Sequence, residues 1–279
     1  MSLTFLCVHA HPDDEASSTG GVLRVLADQG VRTVLVTCTN GEFGDAPDGT
    51  KPDAPGHDPE GVAAVREAEL DEAVAVLGVS RLVRLGYRDS GMAGWPQNDD
   101  PDAFWSTPLD EAAARVAAVL AEERPQVVMT YNENGFYGHP DHVQAHRVTM
   151  RALEMVDLEP TVYFNAIPDS VMARTRERWA EEDRRRAEAE GREYAPDPEE
   201  EAMDLGTPDE AIGAAIDVRS AVGAKRAALA AHASQVADSF WLAMSEEEFA
   251  RAMSTEWFVR ARNPLGLEGT VGDLFAGYR

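Results

Sequence analysis

Cysteine is scarce: two thiols in 279 residues, Cys7 and Cys38, leave no material for a disulfide framework or a cysteine-built metal site. Both sit in apolar, strand-like runs, where cysteine acts as a small buried hydrophobe. Bases are scarce too, with 25 Lys and Arg against 50 Asp and Glu and a formal charge of −25. A field of that sign repels phosphate backbones and anionic lipid, so neither nucleic acid nor a membrane surface is expected as a partner. No stretch reaches the roughly 18 apolar residues of a membrane helix. The start, Met1 to Val8, carries no basic segment ahead of its apolar run, which predicts a cytoplasmic protein. The glycine pattern Gly-x-Gly-x-x-Gly is missing after the first strand-like run, which argues against a dinucleotide site. No internal repeat is visible.

What is present is an ordinary globular balance, 44% hydrophobic and 27% charged, at a length that buries a core without staples. Residues 3–9 read as a buried strand, 12–29 as a helix with Gly30 as its cap, and 31–39 as a second strand. Helices follow at 61–77, 109–123 and 141–155, alternating with strands at 81–85, 126–130 and 161–167. This alternation predicts an α/β, three-layer Rossmann-like fold: a mostly parallel sheet with helices on both faces. One domain over 1–279 is expected, with its catalytic core in 1–165 and residues 166–279 completing it. That second part reads as a charged helix at 170–191, an unstructured acidic loop at 194–209, a strand at 211–218, a helix at 219–234 and a strand near 257–260. The long loops at 40–60, 88–108 and 131–140 all follow strands, so they gather at the carboxyl edge of the sheet, where such folds bind ligands.

Two clusters carry the chemistry. After the first strand comes His9-Ala10-His11-Pro12-Asp13-Asp14-Glu15, in which Pro12 suits a first helical position and the acids suit the positive end of a helix. Alone, that also describes a well-capped helix. The second cluster, Tyr137-Gly138-His139-Pro140-Asp141-His142, repeats His-Pro-Asp at another strand-to-helix junction. Converging, the two supply His11, Asp14 and His142 as ligands and leave a fourth position for water, the open arrangement of a catalytic zinc. Nitrogen and oxygen donors favour Zn2+, or Fe2+ in its place, over calcium or magnesium. Water bound to such an ion has a pKa near 7. Asp13 is then placed to act as general base, with Tyr137 and His139 stabilising an oxyanion and His139 also able to protonate a leaving amine. Asp141 is expected to fix an imidazole tautomer from behind. His9 reads as a buried structural histidine, His57 as surface, His146 as a helix-face residue or spare ligand, and His232 as structural.

At these motifs the chain resembles the LmbE-like, or PIG-L, family of zinc de-N-acetylases, over most of residues 3–165 and again near 225–235. Thr37-Cys-Thr-Asn-Gly-Glu, Arg88-Asp-Ser-Gly-Met-Ala-Gly and Ala230-Ala-His-Ala-Ser-Gln are similar to its mycothiol-pathway branch, which deacetylates N-acetylglucosaminyl-inositol. The resemblance implies that Arg66, Asp89 and Met92 line a sugar and inositol pocket with Glu42 at its rim, and that the substrate is a small N-acyl amino sugar. The alternatives are a mycothiol S-conjugate amidase or a deacetylase of an antibiotic-like glycoside. The amidase pattern has a lysine just after Asp-Asp-Glu, where this chain reads Ala16-Ser17-Ser18-Thr19. Residues 166–210 match neither enzyme.

Overall fold

A computed structural model describes residues 3–195, 205–236 and 239–279. Seven strands form one sheet: β1 (Thr4–His9), β2 (Arg32–Thr39), β3 (Arg81–Tyr87), β4 (Val127–Thr130), β5 (Thr161–Ala166), β6 (Ile212–Asp217) and β7 (Thr255–Arg262). Their order is β3-β2-β1-β4-β5-β7-β6. The first five run parallel, while β7 lies antiparallel to both β5 and β6. The sheet is therefore mostly parallel, as its sequence pattern predicts.

Alternation along the strands sorts the core into two layers. Phe5, Cys7, Leu35, Met129 and Tyr163 face the helices α2 (Gly20–Asp28), α3 (Pro59–Leu77) and α8 (Val222–Ala231). Leu6, Val8, Val36, Val128 and Val162 face α4 (Leu109–Glu123) and α6 (Pro140–Glu154). Every residue of β1 is buried, which is why it reads as an unbroken apolar run and not as an amphipathic strand. The strand order reverses around β1, with β2 on one side and β4 on the other. A crevice opens at such a switch point, outside the carboxyl ends of the strands.

The helix expected over 12–29 is two helices, α1 (Asp14–Ser18) and α2, broken at Thr19. The Thr19 hydroxyl donates to Glu15 O at 3.1 Å and meets His9 Nε2 at 2.9 Å, so a side chain competes with the helical ladder at that point. Pro12, in turn, lies before the helix rather than in its first turn: the cap is Asp13, in a left-handed conformation with φ 112°. The charged helix appears as α7 (Asp169–Ala189), and the strands expected at 211–218 and 257–260 appear as β6 and a longer β7. Of the acidic loop expected at 194–209, residues 196–204 lie outside the described residues. Among the described residues no helix is long and apolar enough to cross a membrane.

Candidate active site

The chain leaves β1 at His9 and turns sharply at Asp13. A non-glycine residue at φ 112° is strained, and strain persists only where the surroundings over-determine it. Here Arg66, from α3, donates to Asp13 Oδ2 at 2.9 Å, to Pro12 O and, at 2.7 Å, to Gly41 O. Glu15 Oε2 accepts the Asp13 N–H at 3.0 Å. The turn brings the Asp14 carboxylate back over the motif, where Oδ2 accepts the His11 N–H at 2.8 Å.

The second cluster arrives from the far side of β1. Pro140 occupies the first turn of α6, and His139 is its cap, its Nδ1 accepting the Asp141 N–H at 3.1 Å. The helix then directs His142 at His11. His142 Nε2 lies 3.3 Å from His11 Nδ1 and 3.4 Å from Asp14 Oδ1, and His11 Nδ1 lies 3.4 Å from Asp14 Oδ2. A tetrahedron with bonds of about 2.0–2.1 Å has edges of about 3.4 Å, which the two imidazole nitrogens match, and the Asp14 carboxylate turns one oxygen to each of them, so this buried group can offer a divalent ion three ligands.

His11 Nε2 lies 3.2 Å from Asp141 Oδ2, which holds a proton on Nε2 and turns Nδ1 into the triangle, the nitrogen that sheds its proton when an ion binds. Asp141 is held in turn by the Ser90 N–H at 2.9 Å and by the Ser90 hydroxyl. A second group, His11, Asp89, His139 and Asp141, is also close enough to hold an ion. Its members are already engaged: Asp89 Oδ1 accepts the Gly91 N–H at 2.8 Å, and Asp141 and His139 have the partners just given. That group is better described as the carboxylate setting of His11.

Charge follows from burial. Burial opposes protonation of His11, but Asp89, Asp14 and Asp141 outweigh it and raise its pKa well above the usual value. Burial would raise Asp14 too, yet His142 and His11 hold it well below the carboxylate range. Burial takes His142 down to about 4 and, with His11 and His142 beside it, His139 down to about 2. Asp13 is pushed up to about 6 by burial, against the pull of Arg66, and Asp141 likewise to about 6 by burial. The set at neutral pH includes an ionised Asp14 facing a neutral His142, a pair with lone pairs to give.

Tyr137 stands at the mouth, 38% exposed, with Oη 3.4 Å from His142 Nε2. The 135–138 turn (α5) that presents it, inside the segment expected to be loop, has Gly135 at φ 63° and Phe136 at φ 69°. A Cβ on Gly135 would stand 2.6 Å from Val143 N, so glycine is required for that approach. Of the expected pocket residues, Arg66 is buried against Asp13, and Glu42 Oε2 accepts the Asp89 N–H at 3.0 Å. Met92 is 40% exposed.

The other histidines divide as follows. His9 is fully buried, bonded to Tyr131 Oη at 3.1 Å as well as to Thr19. His146 Nδ1 bonds Tyr131 O at 2.8 Å, away from the triangle. His57 is half-buried, its Nε2 on Gly44 O at 2.9 Å. His232 is fully buried, 2.6 Å from Glu15 Oε1. Sequence reasoning passed over Ser90 and Tyr131; the latter stacks on His142 with ring centroids 4.2 Å apart. Its place directly after β4, at the switch point, is the signal that could have found it.

A buried histidine and carboxylate group that could hold a metal ion, at the carboxyl edge of a mostly parallel sheet, defines the class, an α/β protein of Rossmann-like build with a candidate metal centre. The chain belongs to the PIG-L, GlcNAc-PI de-N-acetylase, family, whose profile matches residues 6–153. It is 43% identical to the 1D-myo-inositol 2-acetamido-2-deoxy-alpha-D-glucopyranoside deacetylase of Acidothermus cellulolyticus, over 99% of this chain and 96% of that one. Among solved structures, the N,N'-diacetylchitobiose deacetylase of Pyrococcus horikoshii shares the fold at TM-score 0.57 and 19% identity, covering 94% of this chain and 87% of that one. GalB, the 4-carboxy-2-hydroxymuconate hydratase of Pseudomonas putida, shares it at TM-score 0.60 and 16% identity, covering 96% and 99%. A deacetylase and a hydratase on one fold show that fold alone does not choose the reaction.

Proposed function

We propose that the chain removes the acetyl group from an N-acetylglucosaminyl substrate, N-acetylglucosaminyl-inositol foremost, with a divalent ion, zinc by preference, held by His11, Asp14 and His142. The observation that carries this is the convergence of His11, Asp14 and His142 through contacts of 3.3–3.4 Å, with Asp13 next to Asp14 in the chain. The 43% identical relative, named for the inositol glucosaminide, supports the substrate. A bound divalent ion supplies Lewis acidity and brings the pKa of its water to about 7.

The residues divide the remaining work. Asp13, with a carboxyl near pH 6, takes the proton of the attacking water. Tyr137 keeps its phenolic proton, since burial raises its pKa, and donates it as a hydrogen bond to the developing oxyanion. His139 acts as a neutral donor: Nδ1 is occupied by the Asp141 N–H, so its proton sits on Nε2. That leaves Asp13, protonated in the attack, to return the proton to the amine nitrogen as the C–N bond breaks, releasing acetate and free amine. The acid role thus falls to Asp13 and not to His139.

The test is acetate and amine release from N-acetylglucosaminyl-inositol, beside N-acetylglucosamine, a thiol S-conjugate and an acylated glycoside antibiotic, with zinc-loaded and metal-free protein. Turnover that needs zinc and prefers the inositol glycoside supports the reading. Preference for another amide reassigns the substrate, and equal rates without metal overturn the mechanism.

A further inference from the structure

The segment 225–235 contributes no atom to the His11, Asp14 and His142 triangle, yet several of its side chains reach into the half of the chain that builds it. Lys225 Nζ bonds Ser17 O at 2.8 Å, Ser234 Oγ bonds Glu69 Oε2 at 2.7 Å, and the Gln235 amide takes both Asp45 N and Asp45 O, at 3.2 and 2.9 Å. At its centre, His232 Nε2 lies 2.6 Å from Glu15 Oε1, and Glu15 Oε2 accepts the N–H of Asp13. Both side chains are fully buried. The acceptor of the Asp13 N–H is therefore itself held by a residue more than 200 positions away.

Two features separate this pair from ordinary packing. The N–H it receives belongs to a residue at φ 112°, which holds that angle only while its neighbours insist on it. The other His232 nitrogen, Nδ1, is buried with no hydrogen-bond partner, a costly arrangement that an aliphatic side chain of similar size would avoid. What the imidazole supplies in return is a partner for the fully buried Glu15 carboxylate.

We infer that His232 is a positioning residue: through Glu15 it fixes the Asp13 backbone in its left-handed turn and so aims the Asp13 carboxylate at the attacking water. The inference rests on the base role proposed for Asp13. Misplacing a reacting group by about 1 Å costs on the order of 100-fold in rate. Arg66 independently grips the Asp13 side chain and the Pro12 carbonyl, so losing His232 is expected to loosen the turn while the motif stays held.

The experiment compares wild type with His232→Leu, His232→Gln and Glu15→Gln as full chains. Hydrogen exchange of the segment 9–19 is read beside steady-state acetate release and metal content. His232→Leu is expected to speed exchange at the Asp13 amide and lower kcat on the order of 100-fold, with KM and bound metal unchanged. His232→Gln, whose amide reaches the Nε2 position, restores most of both. Should His232→Leu fail to fold, Glu15→Gln gives the same exchange reading at nearly constant volume. Wild-type exchange and wild-type kcat in His232→Leu would overturn the inference, as would a parallel change in KM. A wild-type protein that releases no acetate sinks the substrate reading, and the exchange comparison then decides the brace by itself.

Discussion

The Arg66 guanidinium lies 2.9 Å from the Asp13 carboxylate while also holding Pro12 O and Gly41 O, so one buried cation fixes both the proposed base and the backbone that carries it. Burial raises Asp13 to about 6 and Arg66 works against that rise. Removing the cation in Arg66→Ala lifts the Asp13 pKa further, so less of the base is ionised at any given pH. The acidic limb of the kcat/KM profile is expected to move to higher pH, and pH–rate profiles of the two proteins check it. An unmoved limb would remove Asp13 from the titrating step.

Metal and turnover should separate by residue. His142→Ala deletes one corner of the triangle and is expected to lose both bound metal and activity, whereas Asp13→Ala keeps the metal and loses turnover by roughly 100-fold or more. Metal content by elemental analysis, beside acetate release before and after chelation and zinc readdition, distinguishes the two roles. Retained activity in either variant contradicts the assignment.

The strain at Asp13 gives a stability prediction of opposite sign to its functional one. Glycine accepts φ 112° freely, while alanine keeps the Cβ that makes it costly. Asp13→Gly is expected to be more stable than Asp13→Ala by about 1 kcal/mol, with both inactive. Urea unfolding of the pair decides; equal stabilities would mean that the turn is unstrained.

Much of this was legible in the sequence because it is local. The β-α-β opening, the two His-Pro-Asp clusters and their junctions follow from hydrophobic period and proline placement, and the structure brings His11, Asp14 and His142 to within 3.4 Å of one another. The break at Thr19 was not legible, since it depends on a hydroxyl meeting His9 across the site. Nor was the antiparallel pairing of β7, a choice made by the whole sheet. The partners of His232 and Arg66 lie 217 and 53 residues away, and no periodicity encodes such pairs.

Acid resistance has a local source in Glu123, at the end of α4. Its carboxylate meets Arg32 at 2.6 Å and Arg81 at 2.6 Å, joining the helix to β2 and β3. The Arg32 hydrogen bond, opposed by burial and aided by Arg81, lowers its pKa from 4.5 to about 2. A folded-state pKa below the unfolded one contributes stability that is fully present above about pH 4.5 and disappears as pH falls through about 2. Glu123→Gln should therefore cost on the order of 1 kcal/mol at pH 7, a modest figure because both arginines meet solvent, and nothing near pH 2. Tm measured across that range checks the convergence.

The Lys225–Glu256 pair is the severest test of how the C-terminal part supports the site. The two charges lie 2.6 Å apart with side chains 2% and 5% exposed, and Glu256 also accepts the Gly21 and Val22 N–H groups at the start of α2, each at 2.8 Å. Removing the lysine leaves a buried carboxylate without its counter-charge, so Lys225→Met is expected to cost roughly 3–5 kcal/mol. Replacing Glu256 by Gln in that background removes the stranded charge while one amide oxygen still accepts from α2. The double variant should therefore be more stable than Lys225→Met alone, a non-additivity that denaturant melts of the single and double variants resolve. Strict additivity would show that the two charges act independently, and that the restart of α2 behind the active-site turn is held by the carboxylate without help from α8.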